Sequence, residues 1–201
     1  MFIDKAIKKQ NASYSRFNLV MIFIFILLPI AVFGFAINKL FILILVLLEV
    51  AIITCIVIMK DRMTLKYTCE GNILNVKQSL FKPFRKTMCD KIKLIHTENK
   101  LDDIEIVLVT NTRIGNRNFR LIGKSFVSKY PMAAKEYKRL KTMYPDTNYF
   151  YTVIKNGGLS KFYLLDDLYR SCVTSVFTED AIENIKIARS QKEFKDSKKR
   201  W

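Results

Sequence analysis

The residue types from which active sites are most often built are scarce in this chain. It has one histidine, His96, and six glycines among 201 residues. A single histidine cannot form a metal-binding cluster, and the sequence contains no glycine-rich phosphate loop, serine nucleophile elbow or paired-histidine motif. We therefore interpret His96 as a strand-borne histidine, partly buried or solvated, rather than a catalytic one. We expect no enzyme activity, no catalytic residue, no metal and no cofactor.

Cysteines and acidic residues are also few. The four cysteines, at positions 55, 69, 89 and 172, lie far apart without paired spacing, so no disulfide framework or zinc site is indicated. Acids number 18 against 34 Lys and Arg. This excess favours an acidic partner such as an anionic membrane surface. Nucleic acid ranks third as a partner, because no helix-turn-helix, zinc finger or aromatic RNA-binding signature is present.

Two long apolar runs dominate the N-terminal part of the chain. They extend over Leu19–Ile37 and Leu40–Met59, and the first contains neither a charged residue nor an amide. A membrane span needs roughly 20 mostly apolar residues. One straight helix formed by both runs would be about twice as long as the hydrocarbon layer is thick. The chain is therefore expected to turn back at Asn38 and Lys39. The sequence therefore predicts a transmembrane helical hairpin at 19–59. A re-entrant loop broken at Pro29 and Gly34 is the alternative.

The basic residues predict the orientation of this hairpin. Cations precede the first run and follow the second, whereas the turn holds only Lys39. The flanking cations are Lys5, Lys8, Lys9 and Arg16 on one side and Lys60, Arg62 and Lys66 on the other. The positive-inside rule then places both termini in the cytoplasm. The expected location is the cell membrane, and a bias toward Lys, Ile and Asn resembles proteins of low-GC bacteria.

The first 18 residues form a basic, amphipathic segment. Phe2, Ile3, Ala6 and Ile7 fit one face of a short helix, and Lys5, Lys8 and Lys9 fit the other. This pattern favours a helix lying in the membrane interface. A disordered basic leader is equally compatible with so few helical turns.

After the hairpin, the pattern changes to alternation typical of strands. Apolar residues alternate with polar ones over 63–68 and 73–79, with a turn at Glu70–Asn72. A basic connection over 81–86 precedes an apolar run at 88–97. Further strands are expected at 104–109 and 119–122, and a helix follows Pro131. Strands without helices between them predict an antiparallel sheet over 60–144.

This segment resembles the bacterial pleckstrin-homology-like domains over residues 63–143. The residues that carry the resemblance are Tyr67–Val76, Phe84–Lys86, Asp90–Ile95, Ile104–Thr110 and Phe119–Leu121. The resemblance implies a curved sheet capped by a helix, a binding or scaffolding role and no catalytic residues. Some relatives of that fold bind lipid headgroups.

The last part of the chain is predicted from turn and capping signals. Asn156, Gly157 and Gly158 suggest a β-hairpin joining strands at 149–155 and 159–165. Asp166 and Asp167 are expected to open a helix, and Thr178 to cap another. The sequence thus predicts a hairpin and two amphipathic helices over 145–189, followed by a frayed basic tail over 190–201.

Two groups of residues are candidates for function. Glu49 lies in the middle of the second apolar run, where a carboxyl group is costly. It is interpreted either as an oligomer or partner contact, or as a protonated glutamate bonded to Thr54 or to a backbone carbonyl in a packed helix pair. The second group is a basic surface facing the membrane or a partner. It comprises Lys5, Lys8, Lys9, Lys60, Arg62, Lys66, Lys82, Arg85 and Lys86.

The expected fold class is therefore α+β, with an N-terminal transmembrane hairpin, a cytoplasmic antiparallel sheet domain and C-terminal helices. The expected function is a membrane-anchored interaction or scaffold module that contacts anionic lipid, a protein partner or both. The hairpin is expected to pack with a second copy or another membrane helix. The alternative is a non-catalytic subunit of an envelope machine, such as a conjugation or secretion apparatus. A membrane tether for nucleic acid ranks third.

Overall fold

A computed structural model describes residues 3–35, 39–100, 103–113 and 119–198 of the chain. It begins with two long helices in contact with each other, α1 (Ile3–Phe35) and α2 (Lys39–Met63). Both are long and apolar enough to cross a membrane. The most apolar part of α1 is 0% buried within the chain, and the most apolar part of α2 is 6% buried. The core helix of a soluble protein would be mostly buried.

The break between the helices lies close to the predicted turn. Lys39 begins α2, and Asn38 falls outside the described residues. The first helix continues through Pro29, so the interruption expected of a re-entrant loop does not occur there.

A small antiparallel sheet follows the helices. Its strands, in spatial order, are β1 (Lys66–Glu70), β2 (Ile73–Lys77) and β3 (Arg85–Met88). Gly71 and Asn72 both have positive φ, at 57° and 64°, in the two-residue turn between β1 and β2. Such angles define a tight hairpin that matches the twist of its strands. The strand, turn and strand predicted here are confirmed. The basic connection over 81–86 was predicted two residues too long, because Arg85 and Lys86 already belong to β3.

A larger sheet and four helices complete the domain. In chain order they are β4 (Ile92–Lys100), β5 (Asp103–Thr110), β6 (Arg120–Leu121), α3 (Lys124–Lys129), α4 (Pro131–Met143), β7 (Phe150–Ile154), α5 (Lys161–Ser171), β8 (Val176–Phe177) and α6 (Glu179–Lys198). The strand order is β6-β7-β5-β4-β8. Neighbouring strands are antiparallel except β4 and β8, which are parallel. The α+β class, the antiparallel pairing and the helix after Pro131 are thus confirmed.

The large sheet is buried on both faces. On one face, Val107 and Val109 pack with Phe126 and the buried alanines of α4. On the other, Ile106 and Leu108 pack with α5 and the small sheet. A strand covered on both faces reads as a continuous apolar run rather than an alternating one, which explains residues 104–109. A β-bulge between Ile92 and Leu94 shifts the alternation in β4.

Several predictions for residues beyond Pro145 are wrong. Residues 159–165, predicted as a strand, form a short 3-10 turn and the beginning of α5. The buried residues of α5 recur at the spacing of a helix: Lys161, Phe162, Leu164, Leu165 and Leu168. Asp166 lies in the middle of this helix, where it forms an ion pair with Arg170 at 2.8 Å and accepts a hydrogen bond from Arg189 at 2.6 Å. It does not open a helix.

The last helix begins as predicted and ends later. Thr178 Oγ1 accepts the Ala181 N–H at 3.4 Å at the start of α6, as expected of an N-cap. The helix runs to Lys198, so the tail predicted to fray from residue 190 is helical up to that point. Residues 199–201 of the tail lie outside the described residues.

The beginning of α1 belongs to the domain core. Ile3 and Ala6 are 8% and 9% exposed, and Ile3 joins the cluster formed by the small sheet, β5 and α5. The Tyr163 hydroxyl of α5 donates to Asp4, and burial together with this carboxylate raises the pKa of Tyr163 to about 12. The amphipathic helix is present, but its apolar face contacts the domain. The expectation of a helix lying in the membrane interface is therefore wrong for these residues.

Residues 156–159, here called the joint, hold the ends of both long helices. The Gly157 N–H donates to the Arg62 carbonyl at 2.8 Å, and the Leu159 N–H donates to Gln10 Oε1 at 3.0 Å. Gly157 has a φ of 109°, and a Cβ there would lie 2.4 Å from the Cβ of Leu65. The start of α1 and the end of α2 therefore meet at one point, as a helical hairpin requires.

Truncating the docked end of α1 tests its place in the core. We expect Ile3→Ala to lower the free energy of unfolding by about 2 kcal/mol, because it leaves a cavity between α1 and the domain. Thermal unfolding of the full chain in detergent, followed by circular dichroism, measures the effect. Ile22→Ala is the matched control, since Ile22 is 52% exposed on the same helix. Equal melting temperatures for the two variants would contradict the docking.

A buried ion pair gives an asymmetric prediction. Lys161 is fully buried, and its Nζ donates to Asp103 Oδ2 at 2.7 Å and to the Lys155 carbonyl at 2.6 Å. Asp103→Ala leaves a buried ammonium without its carboxylate, at a cost of about 3 kcal/mol. Lys161→Met should cost less, because the Asp103 side chain is 40% exposed and can be hydrated.

The pH dependence of the Asp103→Ala variant follows from the buried ammonium. Burial lowers the pKa of Lys161 below its ordinary 10.5, and removal of Asp103 should lower it further. Between the lowered pKa of Lys161 in the folded chain and its ordinary value of 10.5 in the unfolded chain, the unfolded chain binds more protons than the folded one. Stability therefore rises with pH in that window. Melting temperatures of Asp103→Ala should therefore approach those of the wild type as the pH rises toward 10.5. A constant difference would contradict the assignment.

Candidate anion-binding cleft

A cleft of about 480 Å³ lies between the small sheet and the large sheet, beside the end of α2. It is lined by five cationic side chains from separate parts of the chain: Lys82, Arg85, Arg120, Lys129 and Lys155. The one carboxylate among the lining residues is Asp61. The lining also includes the hydroxyl-bearing residues Ser79, Ser125, Tyr130, Tyr151 and Thr152. Clustered cations and hydroxyl donors are the groups that bind a phosphate or carboxylate.

Arg85 links the two sheets across the cleft. It begins β3, and its Nη1 donates to Thr152 Oγ1 on β7 at 3.1 Å. Burial lowers the pKa of Arg85 below its ordinary 12.5, but a guanidinium remains charged at neutral pH. A half-buried, oriented guanidinium is well placed to bind an anion, because water screens it less than an exposed one.

A second layer of charge lies behind the cleft wall. The Tyr130 hydroxyl donates to Glu105 Oε2 at 3.3 Å, and Lys100 Nζ donates to Glu105 Oε1 at 2.7 Å. Burial and the Glu105 carboxylate raise the pKa of Tyr130, so this phenol stays protonated. Burial opposes ionisation of Glu105, but Lys100 holds the net pKa of Glu105 below its usual value. This carboxylate is therefore paired most closely with Lys100, and it also attracts Lys129 and Lys155 from behind the cleft wall.

The wall nearest to α2 is fixed by hydrogen bonds to Asp61. Its Oδ1 accepts the Ser79 hydroxyl at 2.8 Å and the Leu80 N–H at 2.7 Å. The Asn156 amide donates to the Asp61 carbonyl at 2.9 Å and to the Gln78 carbonyl at 2.6 Å. Asp61 is thus engaged in holding the loop after β2, which places Lys82 at the cleft.

The structure divides the predicted basic surface into three groups. Lys82 and Arg85 line the cleft. Lys60, Arg62, Lys66 and Lys86 are exposed at the end of α2 and on the small sheet, outside the cleft lining. Lys5, Lys8 and Lys9 are exposed on α1, and Lys9 borders a second cavity, of about 710 Å³, between α1, β5 and α6.

The intramembrane pair predicted from the sequence is not formed. The Thr54 hydroxyl donates to the Val50 carbonyl one turn earlier, at 2.8 Å. Glu49 is half-buried, one helical turn after buried Leu45. Its carboxyl group makes no side-chain hydrogen bond to another residue that the structure describes.

His96 is buried in β4 and has partners on both ring nitrogens. Nδ1 lies 3.0 Å from Thr178 Oγ1, and Nε2 lies 3.1 Å from Glu98 Oε2. The predicted strand position is confirmed, and burial is more complete than expected, at 1% exposure. His96 joins β4 to the start of α6 and does not line the cleft.

Three cysteines that are distant in sequence are neighbours in space. The Cys89 thiol contacts those of Cys172 and Cys69 as a free thiol, and Cys89 and Cys172 are buried in the core. Burial raises the pKa of Cys172, which disfavours the reactive thiolate. Among residues 3–35, 39–100, 103–113 and 119–198, no group of His, Cys, Asp and Glu has an arrangement that would hold a metal ion.

Arg120, Lys129 and Lys155 were missed by sequence reasoning. They are separated by other elements and reach the cleft only because β6 pairs with β7 and α3 follows β6. No local pattern marks them. Comparisons with protein-family models, with curated proteins and with solved structures find no match for this chain. The chemistry assigned to the cleft therefore rests on its own geometry.

Proposed function

We propose that this chain is a membrane-anchored interaction module of the cytoplasmic membrane face. In this proposal α1 and α2 cross the bilayer as a hairpin, both termini lie in the cytoplasm, and the cleft binds an anionic group. The observation that carries the proposal is the position of the cleft. Its lining includes Asp61, which comes two residues after the apolar run of α2.

The anchoring part of the proposal is supported by the exposed apolar surfaces of the two helices. Leu19, Phe23, Leu43 and Leu47 are each more than 60% exposed. Lipid is the environment in which such surfaces are stable. The cytoplasmic orientation is supported by the exposed Lys60 and Arg62 at the end of α2 and by the cations near the start of α1.

The binding part of the proposal is supported by charge and location together. Each cation near an anionic leaflet contributes on the order of 1 kcal/mol to attraction, and five cations surround one cavity. The cavity is large enough for a phosphate-bearing headgroup or an acidic side chain. The role assigned to the cleft is binding, because its lining is rich in cations and because Asp61, which Ser79 contacts, is engaged in holding the loop after β2.

Neutralising two cleft cations tests the binding site. The full chain is placed in phosphatidylcholine nanodiscs and titrated with short-chain phosphatidic acid, with inorganic phosphate and with an oligoglutamate peptide. Lys82→Gln combined with Lys129→Gln should weaken phosphatidic acid binding by on the order of tenfold or more, since two contributions of about 1 kcal/mol are lost. Binding should also weaken with added salt.

The matched control removes equal charge elsewhere. Lys135 and Lys138 are exposed on α4 and do not line the cleft, so changing both to Gln should leave binding within about twofold of the wild type. Equal losses in both double variants would refute the cleft as the site. Binding of oligoglutamate in preference to both phosphate compounds would favour the alternative role, a non-catalytic subunit docking an acidic protein.

Glu49 provides a separate test of the proposed packing of the hairpin with a second copy. A carboxyl without a partner in the hydrocarbon region favours contact with a polar group of another helix. We expect Glu49→Gln to alter, and Glu49→Leu to reduce, the oligomeric fraction measured by crosslinking and blue-native electrophoresis. Thr54→Val is the control, because the Thr54 hydroxyl is already bonded to Val50. Unchanged assembly in both Glu49 variants would remove this role.

A further inference from the structure

The loop between β2 and β3, residues 78–84, exposes two phenylalanines. We call it the aromatic loop. Phe81 is 78% exposed and Phe84 is 53% exposed, with Lys82 and Pro83 between them. Burying a phenylalanine side chain contributes about 1.5–3 kcal/mol. Two exposed phenyl rings in one short loop therefore indicate a surface that is covered when the protein is in its working environment.

The aromatic loop is fixed relative to the end of α2. Asp61 accepts hydrogen bonds from Ser79 and Leu80 within the loop, at 2.8 and 2.7 Å, and Asn156 ties Gln78 to the same helix end. Asp61 and the last apolar residue of the run, Met59, are two positions apart, which is about 3 Å along a helix. The loop is therefore held at the level where α2 leaves the apolar region.

Cations surround the two phenyl rings. Lys82 lies within the loop, Lys77 Nζ lies 5.8 Å from the centre of the Phe84 ring, and Lys60 and Arg62 are exposed on the adjoining turn of α2. Apolar rings beside lysines are typical of segments that rest in the interface of an anionic bilayer, with rings toward the acyl chains and ammonium groups among the headgroups. The position of the loop beside the end of α2 favours the bilayer over an acidic protein surface as the partner of these rings.

We infer that the aromatic loop inserts Phe81 and Phe84 into the headgroup and acyl-chain boundary of the bilayer that α2 crosses. This inference rests on the proposed membrane anchoring. It adds a contact to the two spans, and it orients the cleft. Because Lys82 and Arg85 line the cleft from this loop and from the strand that follows it, an inserted loop holds the cleft at the membrane surface.

Tryptophan fluorescence in the full chain tests the inference. In a Trp201→Phe background, which removes the one native tryptophan, three variants are compared in liposomes containing phosphatidylglycerol: Phe81→Trp, Leu47→Trp and Val173→Trp. Leu47 is exposed on α2, and Val173 is 82% exposed beside Cys172. The aromatic loop precedes β3, whereas Cys89 follows β3 and contacts Cys172. Val173 therefore lies toward the end of β3 that is far from the loop and serves as the aqueous control.

The expected result is a blue-shifted emission for Phe81→Trp and a loss of intensity in brominated lipid that approaches the loss for Leu47→Trp. Val173→Trp should show neither. Quenching of Leu47→Trp without quenching of Phe81→Trp would overturn the inference while leaving the anchoring intact. A blue shift without quenching would indicate that protein covers the loop, and would also overturn it. Absence of quenching in Leu47→Trp would refute the anchoring and the inference together.

Discussion

The hydrogen bonds at residues 156–159 are the constraint on which the arrangement of the whole chain depends. The last carbonyl groups of a helix lack partners within the helix, and here Asn156 and Gly157 donate to the carbonyls of Asp61 and Arg62. Two residues further on, Leu159 donates to Gln10 of α1. The same short segment therefore fixes both long helices to the domain. Glycine is required at 157, because a side chain there would collide with Leu65.

Because the start of α1 is docked in the domain core, this helix connects the core directly to the apolar part of α1. Ile3 lies in the core and Asp4 is bonded to Tyr163, while the same helix extends without interruption to Phe35. A helix of this length spans about 50 Å. A fragment that begins after α2 would lack this part of the core, so binding studies need the full chain.

The sequence was informative where a pattern is local and misleading where the pattern is completed by distant residues. Alternation over 63–79 predicted β1 and β2, and Pro131 marked α4, because each depends on residues within one segment. Residues 159–165 mix aromatic and apolar side chains and were taken for a strand. Their helical state depends on the joint and on Lys161, which is paired with Asp103 from another strand. Of the cleft, Lys82 and Arg85 were predicted, since they are close in sequence. Arg120, Lys129 and Lys155 were not, since β-sheet pairing brings them together.

The positive charge of the cleft results from how the neighbouring carboxylates are paired. Glu105 lies behind the wall and is bonded to Lys100, and Asp103 is bonded to buried Lys161. Asp61, the carboxylate in the lining, accepts two hydrogen bonds from the aromatic loop. Each of these acids also has a partner outside the set of five cleft cations, and the five cations outnumber the one carboxylate of the lining. A ligand anion would meet a cavity that is already assembled, so little ordering would oppose its binding. In the proposed membrane-anchored arrangement, preorganised cations beside the end of α2 favour a ligand presented at the bilayer surface.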